Sequence, residues 1–450
     1  MIIKDANSFC YVENLDDTEK RQLYDLLRIE DDGKYYSPAY KSGRWDGYHS
    51  FYDKKKDRFP AGLLHAVLKR FPYADYQKLH RSSVLRPHTS LGTLTPREDQ
   101  LAIIEAALKE RRGLIQAPTS FGKTVCLAML CKAIPGEILI VTHTRSLLHQ
   151  TAKSLARELG EPIGLVGDGY ANRERVTIGL VKSLAEYDFS KVNALLADEV
   201  HRFSADMLFK LALSIPAYYR FGLSADPLDE QDVKSNSLYK RFRIMSCFGP
   251  IIAKSTMDEA KERGVIADPI ITIKRIPDPH NGLHHDSDYQ TAYEELVVNN
   301  PNLSTEIQNL CKTFAGQQVM ILLRRVDQGR ELAKLIPNSR FLWGELSTDV
   351  IQKGIDDFKA GKYSVMIGSD IFKEGIDIPE IDVLINAGSD VAATKQRLGR
   401  GLRKRPGKDT IDVFDFLICG NKYTEKHAKE RLRIYLGEGH TVNGYKSPNR

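Results

Sequence analysis

The feature that most constrains this chain is a glycine-lysine-threonine loop between an apolar strand and a helix. It lies in the segment GLIQAPTSFGKTVCLAML, which begins at Gly113. Such a loop presents backbone N–H groups at a helix N-terminus, where they can hold phosphates. The segment therefore predicts a P-loop in which Lys123 reaches the β- and γ-phosphates of ATP and the Thr124 hydroxyl binds Mg²⁺. The predicted phosphate-binding residues are Ala117, Pro118, Thr119, Ser120, Phe121, Gly122, Lys123 and Thr124, with alanine where the first glycine is usual.

Two adjacent carboxylates follow a second apolar strand, in the segment LLADEVH that ends at His201. At the end of a strand in a P-loop sheet, an aspartate can hold the magnesium ion and the next glutamate can polarise the attacking water. We therefore predict that Asp198 is a metal ligand and that Glu199 is the catalytic base. The alternative is that the two acids only cap the helix that follows them.

Composition narrows the class of protein. The 450 residues suffice for about three domains, and 65 basic against 59 acidic residues give a net charge of +6, which permits a polyanionic partner. No run approaches the roughly 18 apolar residues of a membrane span, and the start lacks the pattern of a signal peptide. The six cysteines form no CxxC pair, which favours a reducing compartment. We expect a cytoplasmic protein, not a secreted one.

Three histidines stand close together in the segment PDPHNGLHHDSDY, at positions 280, 284 and 285. They could suggest a metal site. No cysteine accompanies them, and the surrounding Pro, Gly and Asp residues are typical of an exposed turn. The sequence is therefore interpreted as a solvated loop, without structural zinc.

Short apolar runs alternate with amphipathic helical patterns in two blocks of the chain. Such alternation indicates parallel sheets covered by helices, an α/β fold. We predict three parts: a small N-terminal α+β domain over residues 1–91 and two α/β lobes over 92–248 and 249–450. The predicted strands are 113–117, 137–143, 176–180, 194–199, 219–225, 319–324, 363–369, 382–388 and 410–416.

Between positions 34 and 70, the N-terminal part is rich in lysine and arginine residues that are interleaved with aromatic residues. They could form the core and the solvated hairpin of a small β-rich unit. They could also form a nucleic-acid platform, in which the basic side chains contact phosphates and the aromatic rings stack on nucleobases. Both interpretations hold at once if successive side chains along a strand point alternately into the core and toward solvent. The predicted nucleic-acid contacts here are Lys41, Arg44, Trp45, Lys54, Lys55 and Lys56.

Near the other end, the segment QRLGRGLRKR is dense in arginine. Arg400 and Arg403 are three residues apart, so they share one face of the predicted helix. Arginine suits the charge that develops on a transferring phosphoryl group. A solvated basic face or a DNA-backbone patch is the alternative interpretation.

In combination and order, these motifs resemble those of the superfamily 2 helicases. LTPREDQ resembles the adenine-recognising RxxQ element, and THTRSLLHQ resembles the motif that contacts the nucleic-acid backbone. Ser224-Ala225-Asp226 stands at motif III, which usually reads SAT. MILLRRVDQGREL, GSDIFKEGIDIP and QRLGRGLRK resemble motifs IV, V and VI. The site residues that the resemblance adds are Arg97, Gln100, Gly375 and Asp377 for the nucleotide, Thr144 and Arg145 for the nucleic acid, and Gln396, Arg400 and Arg403 for catalysis.

The N-terminal YxPxxKxxxWDG stretch, Tyr36 to Gly47, is similar to the small DNA-binding domain of phage UvsW-type recombination helicases. The resemblance implies two RecA-like lobes that use ATP and Mg²⁺ to unwind forked or four-way DNA, migrate Holliday junctions and regress forks in recombination, repair and replication. It implies a monomer or weak oligomer with no membrane partner. The alternatives are an RNA helicase, a double-strand translocase that does not separate strands, and a scaffold with a degenerate ATPase; the intact Lys123 and Asp198 speak against the last.

Overall fold

The computed structural model describes residues 1–78, 85–118, 121–228, 235–255, 259, 267–369, 381–388, 391 and 410–444. The chain forms two compact units, one of residues 1–118 and 122–255 and the other of residues 119–121 and 256–450. The first unit contains both the N-terminal part and the first α/β block. The division into three domains at residues 91 and 248 stays a prediction.

The N-terminal part is a small α+β structure built on a four-stranded sheet with the order β5-β2-β1-β6. Strand β1 pairs with β2 in antiparallel and with β6 in parallel orientation. Its strands are β1 Ile2–Ala6, β2 Phe9–Glu13, β3 Arg28–Glu30, β4 Tyr48–Ser50, β5 Arg58–Pro60 and β6 Asp75–Lys78; its helices are α1 Asp17–Leu26, α2 Pro38–Lys41 and α3 Leu64–Arg70, with 3₁₀ turns at Lys34–Tyr36 and Ala61–Leu63.

The first α/β block is an eight-stranded sheet with the order β10-β9-β11-β8-β12-β13-β7-β14. Every pairing in it is parallel except that of β10 with β9. Its strands are β7 Arg112–Gln116, β8 Glu137–Thr142, β9 Ile163–Gly167, β10 Tyr170–Asn172, β11 Val176–Leu180, β12 Val192–Asp198, β13 Tyr219–Ser224 and β14 Ile251–Lys254. Its helices are α4 Glu98–Lys109, α5 Lys123–Ala133, α6 Arg145–Leu159, α7 Asp206–Ser214 and α8 Ser235–Phe248, with 3₁₀ turns at Val181–Leu184 and Val200–Ser204.

The second unit is a seven-stranded sheet with the order β17-β18-β16-β19-β20-β15-β21, and its strand pairs are parallel. Its strands are β15 Asp268–Ile276, β16 Val319–Leu322, β17 Ser339–Leu342, β18 Val365–Gly368, β19 Val383–Asn386, β20 Thr410–Ile418 and β21 Thr441–Asn443. Its helices are α9 Tyr289–Tyr293, which continues into a π-helical turn at Glu294–Val298, α10 Pro301–Thr313, α11 Val326–Leu335, α12 Thr348–Lys359 and α13 Lys422–Gly437.

The predicted α/β fold class is confirmed, and all nine predicted strands are present with shifts of at most two residues at an end. The long strand β15 and the helix α13 were not predicted from the sequence. Strand β15 pairs with β20 along nine residues, so it lies inside the sheet rather than in a linker. Its residues alternate between buried and half-exposed, a weaker signal than the continuous apolar run of a fully buried strand.

The N-terminal part is joined to the first α/β block by buried polar contacts. The Arg220 side chain is fully buried, and its guanidinium donates to the Ser8 hydroxyl at 2.9 Å and to the carbonyls of Ala212 and Cys247 at 3.0 and 3.2 Å. The Ser8 hydroxyl in turn donates to the Ile215 carbonyl at 2.7 Å. A buried arginine is stable only while its donors are satisfied, so these bonds fix the N-terminal sheet on the α/β block.

Apolar packing follows the same junction. The Phe51 ring lies 6.3 Å from Phe209 and 5.7 Å from Phe242, and the His49 ring is stacked on Tyr239 at 4.3 Å. A Cβ at Gly62 would lie 1.9 Å from the Met245 carbonyl oxygen, so only glycine allows this approach of the two backbones. Part of the N-terminal aromatic set is therefore core and junction rather than exposed platform.

Candidate nucleotide site and nucleic-acid surface

The predicted P-loop and the DEVH segment meet because their strands are neighbours of one central strand. Strand β13 pairs in parallel with β7 on one side and with β12 on the other. The carboxyl ends of parallel strands lie at one edge of a sheet, so the residues after β7, β12 and β13 converge there. Two hydrogen bonds tie the edge together: Ala117 N donates to the Ser224 carbonyl at 3.0 Å, and Gln116 Nε2 donates to the Ala225 carbonyl at 3.3 Å.

The Lys123 ammonium faces the Glu199 carboxylate within this edge. The distance from Lys123 Nζ to Glu199 Oε1 is 3.9 Å, and both side chains are largely buried, with 10% and 14% exposed. Lys123 is the first residue of α5, which begins after Gly122 in a left-handed conformation (φ +91°). The helix N-terminus and the lysine therefore offer two sources of positive potential at one place, the arrangement that binds phosphate.

Glu199 has a strained backbone. Its φ is +51°, in the left-handed region that a non-glycine residue enters at a cost. The preceding carboxylate, Asp198, accepts a hydrogen bond from Glu199 N at 2.9 Å, and this bond supports the sharp turn. Strain of this kind is concentrated at functional sites, where it aims a side chain that a regular turn would direct elsewhere.

His201 links the DEVH segment to the SAD segment, a role that the sequence alone did not indicate. Its Nδ1 lies 3.1 Å from the Ser224 hydroxyl and 3.4 Å from Glu199 Oε2. Burial lowers the pKa of the His201 imidazole, although the Glu199 carboxylate acts in the opposite direction. The ring connects Ser224, at the end of β13, to the carboxylate after β12. The signal that could have found it is that Ser224 lies at the end of one predicted strand and His201 closely follows the end of another.

Gln100 and Arg97 flank the loop from the start of α4. Gln100 Oε1 accepts from Arg97 N at 3.0 Å, and a Cβ at Gly122 would lie 2.5 Å from Gln100 Nε2. The Gln100 amide is thus held against the P-loop glycine, which leaves room for no larger residue there. The Arg97 guanidinium contacts both Asp99 oxygens, at 3.1 and 3.2 Å.

The two residues predicted to contact a nucleic-acid backbone in the first α/β block have intramolecular partners. The Thr144 hydroxyl accepts from Leu147 N at 3.2 Å and caps α6. The Arg145 guanidinium lies 3.2 Å from Asp168 Oδ1, with 75% of its side chain exposed. His149 lies 2.8 Å from the same carboxylate, and its hydrogen bond lowers the pKa of Asp168.

The N-terminal lysines lie at the tip of a tight turn. Lys54, Lys55 and Lys56 are exposed between Asp53 and Arg58, which form a β-bridge, and the Asp53 carboxylate accepts from the Lys55 and Lys56 backbone N–H groups at 3.1 and 3.3 Å. The predicted basic hairpin is present, with its three ammonium groups on one turn.

Trp45 lies differently from the lysines. Its ring is half-buried, its Nε1 donates to the Tyr48 carbonyl at 2.8 Å, and it packs beside Tyr40 and His49. Tyr35 and Tyr36 are instead 63% and 85% exposed. Lys41 and Arg44 are exposed nearby in the chain.

Several predicted site residues lie outside the described residues: Thr119, Ser120, Gly375, Asp377, Gln396, Arg400 and Arg403. The others are brought together as follows. The strand edge gathers Ala117, Gly122, Lys123, Asp198 and Glu199 with Gln100. Thr124 is the second residue of α5. Among the described residues, no helix is long and apolar enough to cross a membrane.

Comparison with known proteins gives two family matches. Residues 93–229 match the family described as "Type III restriction enzyme, res subunit", and residues 303–405 match "Helicase conserved C-terminal domain". Together they cover the P-loop, the DEVH segment and the arginine-rich segment.

Two relatives align along most of the chain. The "Putative DNA 3'-5' helicase Rad25" of Halobacterium salinarum is 23% identical over 423 residues, covering 91% of this chain and 66% of the relative. The "ATP-dependent DNA helicase uvsW" of Enterobacteria phage T4 is 23% identical over 480 aligned residues and covers 93% of each. This chain therefore spans about two thirds of the archaeal relative and nearly all of the phage one.

A solved structure shares the fold. The structure "Dbp5 bound to RNA and ADP BeF3" from S. cerevisiae aligns with a TM-score of 0.57 and 14% identity over 78% of this chain and 90% of that one.

Proposed function

Because this chain belongs to the superfamily 2 helicases, we propose that it is an ATP-dependent DNA helicase or translocase that acts on branched DNA. The observation that carries the proposal is the convergence of Lys123, at the start of a helix, with the carboxylates at the end of β12. We further propose that the enzyme works in the cytoplasm, as a monomer or weak oligomer, in recombination, repair or replication restart.

The residues at the strand edge fit a nucleotide with its metal ion. Gly122, in its left-handed conformation, directly precedes the N-terminus of α5, whose backbone N–H groups would face the phosphates, and Lys123 would supply a positive charge for the β- and γ-phosphates. The Thr124 hydroxyl and the Asp198 carboxylate are hard oxygen ligands of the kind that Mg²⁺ prefers, and they would hold it. The bound ion would neutralise charge on the phosphate oxygens.

We assign the remaining work of hydrolysis to Glu199 and His201. The Glu199 carboxylate, aimed by its left-handed backbone, would orient the attacking water and accept its proton. Lys123 Nζ lies 3.9 Å from the same carboxylate, so the base and the phosphate-binding lysine share one place. Because His201 contacts both Glu199 and Ser224, it would transmit movements of the β13 end to the base.

The proposal also includes residues for which we argue from the sequence pattern alone. Arg400 and Arg403 would stabilise the charge that develops on the transferred phosphoryl group, with Gln396 on the same segment. Gly375 and Asp377 would contact the nucleotide.

For the nucleic acid we propose a surface that we call the tyrosine–base ladder. It consists of Tyr24, Arg28, Tyr35, Tyr36, Tyr48 and the lysine turn Lys54, Lys55 and Lys56, with the buried Lys34 side chain between Tyr35 and Tyr48. Lys54 Nζ lies 3.3 Å from the centre of the Tyr24 ring, and Arg28 Cζ lies 5.0 Å from Tyr24 and 4.1 Å from Tyr48. Lys34 Nζ is 5.6 Å from Tyr48 and 5.2 Å from Tyr35. Cation–π contacts of this kind form one continuous strip from the lysine turn to the exposed tyrosines.

The ladder is suited to binding a DNA strand without reading its sequence. Lys54, Lys55 and Lys56 would contact phosphates, and Tyr35 and Tyr36 would stack on unpaired bases. Phosphate contacts carry no sequence information, so we expect the enzyme to select DNA by its structure. Unpaired bases beside duplex occur at forks and junctions, where both kinds of contact can be made together.

The function is tested by measuring ATP hydrolysis and strand displacement with single-stranded, duplex, forked and four-way DNA, and with RNA of the same sequence. We expect forked and four-way DNA to give the largest stimulation and the RNA the smallest. Equal stimulation by RNA would favour an RNA helicase, the second candidate. Hydrolysis on duplex DNA without displacement would favour a translocase.

Two variants separate the two parts of the ladder surface. Replacing Tyr35 and Tyr36 by alanine should weaken single-stranded DNA binding by about 1–3 kcal/mol for each base that no longer stacks, with little change in salt dependence. Replacing Lys54, Lys55 and Lys56 by glutamine should reduce the slope of log K against log[salt] by about 0.7 for each phosphate that is no longer neutralised. Fluorescence anisotropy at several salt concentrations measures both.

The matched control is Tyr73→Ala. Tyr73 is 64% exposed in the same N-terminal part, and its hydroxyl donates to Glu19 instead of joining the ladder. Its removal should leave affinity unchanged. If it weakens binding as much as the Tyr35 and Tyr36 replacements do, the ladder is not the binding surface.

A further inference from the structure

The loop between β15 and α9 is held in one conformation from two sides. The Asp278 carboxylate accepts from the backbone N–H groups of His280 at 2.8 Å and Gly282 at 2.7 Å. Asn421, which is 1% exposed, donates through Nδ2 to the carbonyls of His284, His285 and Ser287, at 2.7, 3.1 and 3.1 Å. The loop expected from its Pro, Gly and Asp content is thus anchored by a buried side chain at the start of α13.

Two histidines of this loop converge with a glutamate of a different element. The His280 and His284 rings are 5.0 Å apart and nearly perpendicular, and His280 Nε2 lies 3.8 Å from Glu295 Oε2. The potential ligand atoms of His280, His284 and Glu295 all lie within 4.8 Å of one another. Among the described residues, no other group of three such side chains comes together in this way.

Two further observations point to a ligand at this place. His280 Nε2 is inaccessible to solvent and has no hydrogen-bond partner among the described atoms, although such a nitrogen loses free energy when it is enclosed without one. Glu295 lies on a π-helical turn, Glu294–Val298, a rare irregularity that is frequent at functional sites. The π turn rotates the carboxylate relative to a continuous α-helix.

We propose that His280, His284 and Glu295 bind a zinc ion. Two imidazoles and a carboxylate are a known ligand set for Zn²⁺, with a water as fourth ligand, and zinc ligands in a tetrahedron lie about 3.4 Å apart for bonds of about 2.0–2.1 Å. The observed separations need only small rotations of these partly exposed side chains to reach that spacing. The Ser287 hydroxyl, 3.4 Å from His284 Nδ1, would orient that ring and leave Nε2 for the metal.

The ion would join the loop after β15 to the turn after α9. Each partner belongs to the second unit, so the site adds a cross-link within one folded body and does not depend on nucleotide or DNA. A ligand that binds only the folded state stabilises it by mass action, and zinc should therefore raise the melting temperature of this unit.

The test is calorimetric titration of Zn²⁺ into the full-length protein after treatment with a chelator. We expect one site per chain. Loss of a residue that hydrogen-bonds a metal ligand weakens metal binding by about 10–100-fold. Ser287→Ala should therefore weaken zinc binding by an amount in that range. His284→Ala, which removes a ligand itself, should weaken zinc binding by more. The matched control is His285→Ala, because His285 is adjacent, 68% exposed and paired with Asp286 outside the cluster; it should bind zinc as the wild type does.

Two further measurements complete the test. Co²⁺ in place of zinc should give the intense visible absorption of a tetrahedral site in the wild type and in His285→Ala, and Glu295→Gln should lose it. Circular dichroism shows whether each variant is folded. Absence of zinc binding by the folded wild type, or equal loss in His284→Ala and His285→Ala, would overturn the proposal and leave only a His280–Glu295 ion pair.

Discussion

Lys123→Ala is expected to reduce the rate of ATP hydrolysis by at least about 10²–10³-fold, the cost of removing one preorganised group that stabilises transition-state charge. Lys123 Nζ lies 3.9 Å from the Glu199 carboxylate across the candidate site, and its side chain is 10% exposed. Alanine retains the helix, because it is the residue that favours helix formation most. The loss should therefore appear in turnover and nucleotide affinity while the fold is kept.

Lys132→Ala is the matched control. Lys132 lies in the last turn of the same helix, is exposed, and donates to the Ser90 carbonyl at 2.9 Å, far along α5 from the P-loop. It should hydrolyse ATP as the wild type does. Steady-state hydrolysis with saturating DNA and circular dichroism measure the two properties. Near-normal turnover by the folded Lys123→Ala variant would show that the nucleotide site is elsewhere.

Asp5→Asn is expected to destabilise the first unit by about 3–5 kcal/mol, because it leaves buried arginines without their counter-charge. Asp5 is 1% exposed and lies 2.6 Å from the Arg111 guanidinium and 3.9 Å from that of Arg112. The Tyr76 hydroxyl also donates to it, at 2.9 Å. Arg112 is the first residue of β7 and Arg111 directly precedes it, so this carboxylate connects the N-terminal sheet to the strand that leads into the P-loop.

The same ion pair makes the junction sensitive to acid. Burial opposes ionisation of Asp5, but the hydrogen bond from Arg111 and the charges of Arg112 and Arg111 outweigh it, so the pKa of this carboxyl lies below its ordinary value. A lowered folded-state pKa contributes stability above the unfolded value of about 3.9, and this contribution is lost as the pH falls through the folded value. The difference in free energy of unfolding between the wild type and Asp5→Asn should therefore be largest at neutral pH and should shrink below about pH 4.

Trp45 can report this transition. The chain has two tryptophans, Trp45 in the N-terminal part and Trp343 in the second unit. In a Trp343→Phe background, tryptophan fluorescence during unfolding in guanidinium chloride therefore reports on the first unit alone. Lys4→Gln is the matched control: Lys4 is adjacent, but its ion pair with Glu13, at 2.7 Å, is exposed and contributes at most about 1 kcal/mol. Equal stability of Asp5→Asn and Lys4→Gln would contradict the expectation.

The junction also changes how the N-terminal part should be studied. A deletion of the whole N-terminal part would remove the Ser8 hydroxyl from Arg220 and expose the rings of Phe209 and Phe242. Loss of DNA binding in such a deletion would not separate a missing contact from a damaged α/β block. Substitutions at the exposed Tyr35 and at the lysine turn avoid this difficulty.

The sequence by itself indicated nine of the strands and the residue types of the candidate nucleotide site. The strands before Lys123 and Glu199 are continuous apolar runs, and the glycine-lysine-threonine loop is local in the chain. Parallel sheets bury such runs on both faces, so their pattern is visible without any long-range information. For the same reason the fold class follows from the alternation of strands and helices.

Only the tertiary structure decided which residues far apart in the chain meet. The sequence could not indicate that Ser8 satisfies Arg220, 212 positions away, or that His201 contacts Ser224. Nor could it indicate that Glu295 joins His280 and His284, which alone are typical of a solvated turn. Periodicity and spacing report the neighbours along the chain, whereas a buried charge or a three-ligand cluster is defined by groups that folding brings together from separate elements.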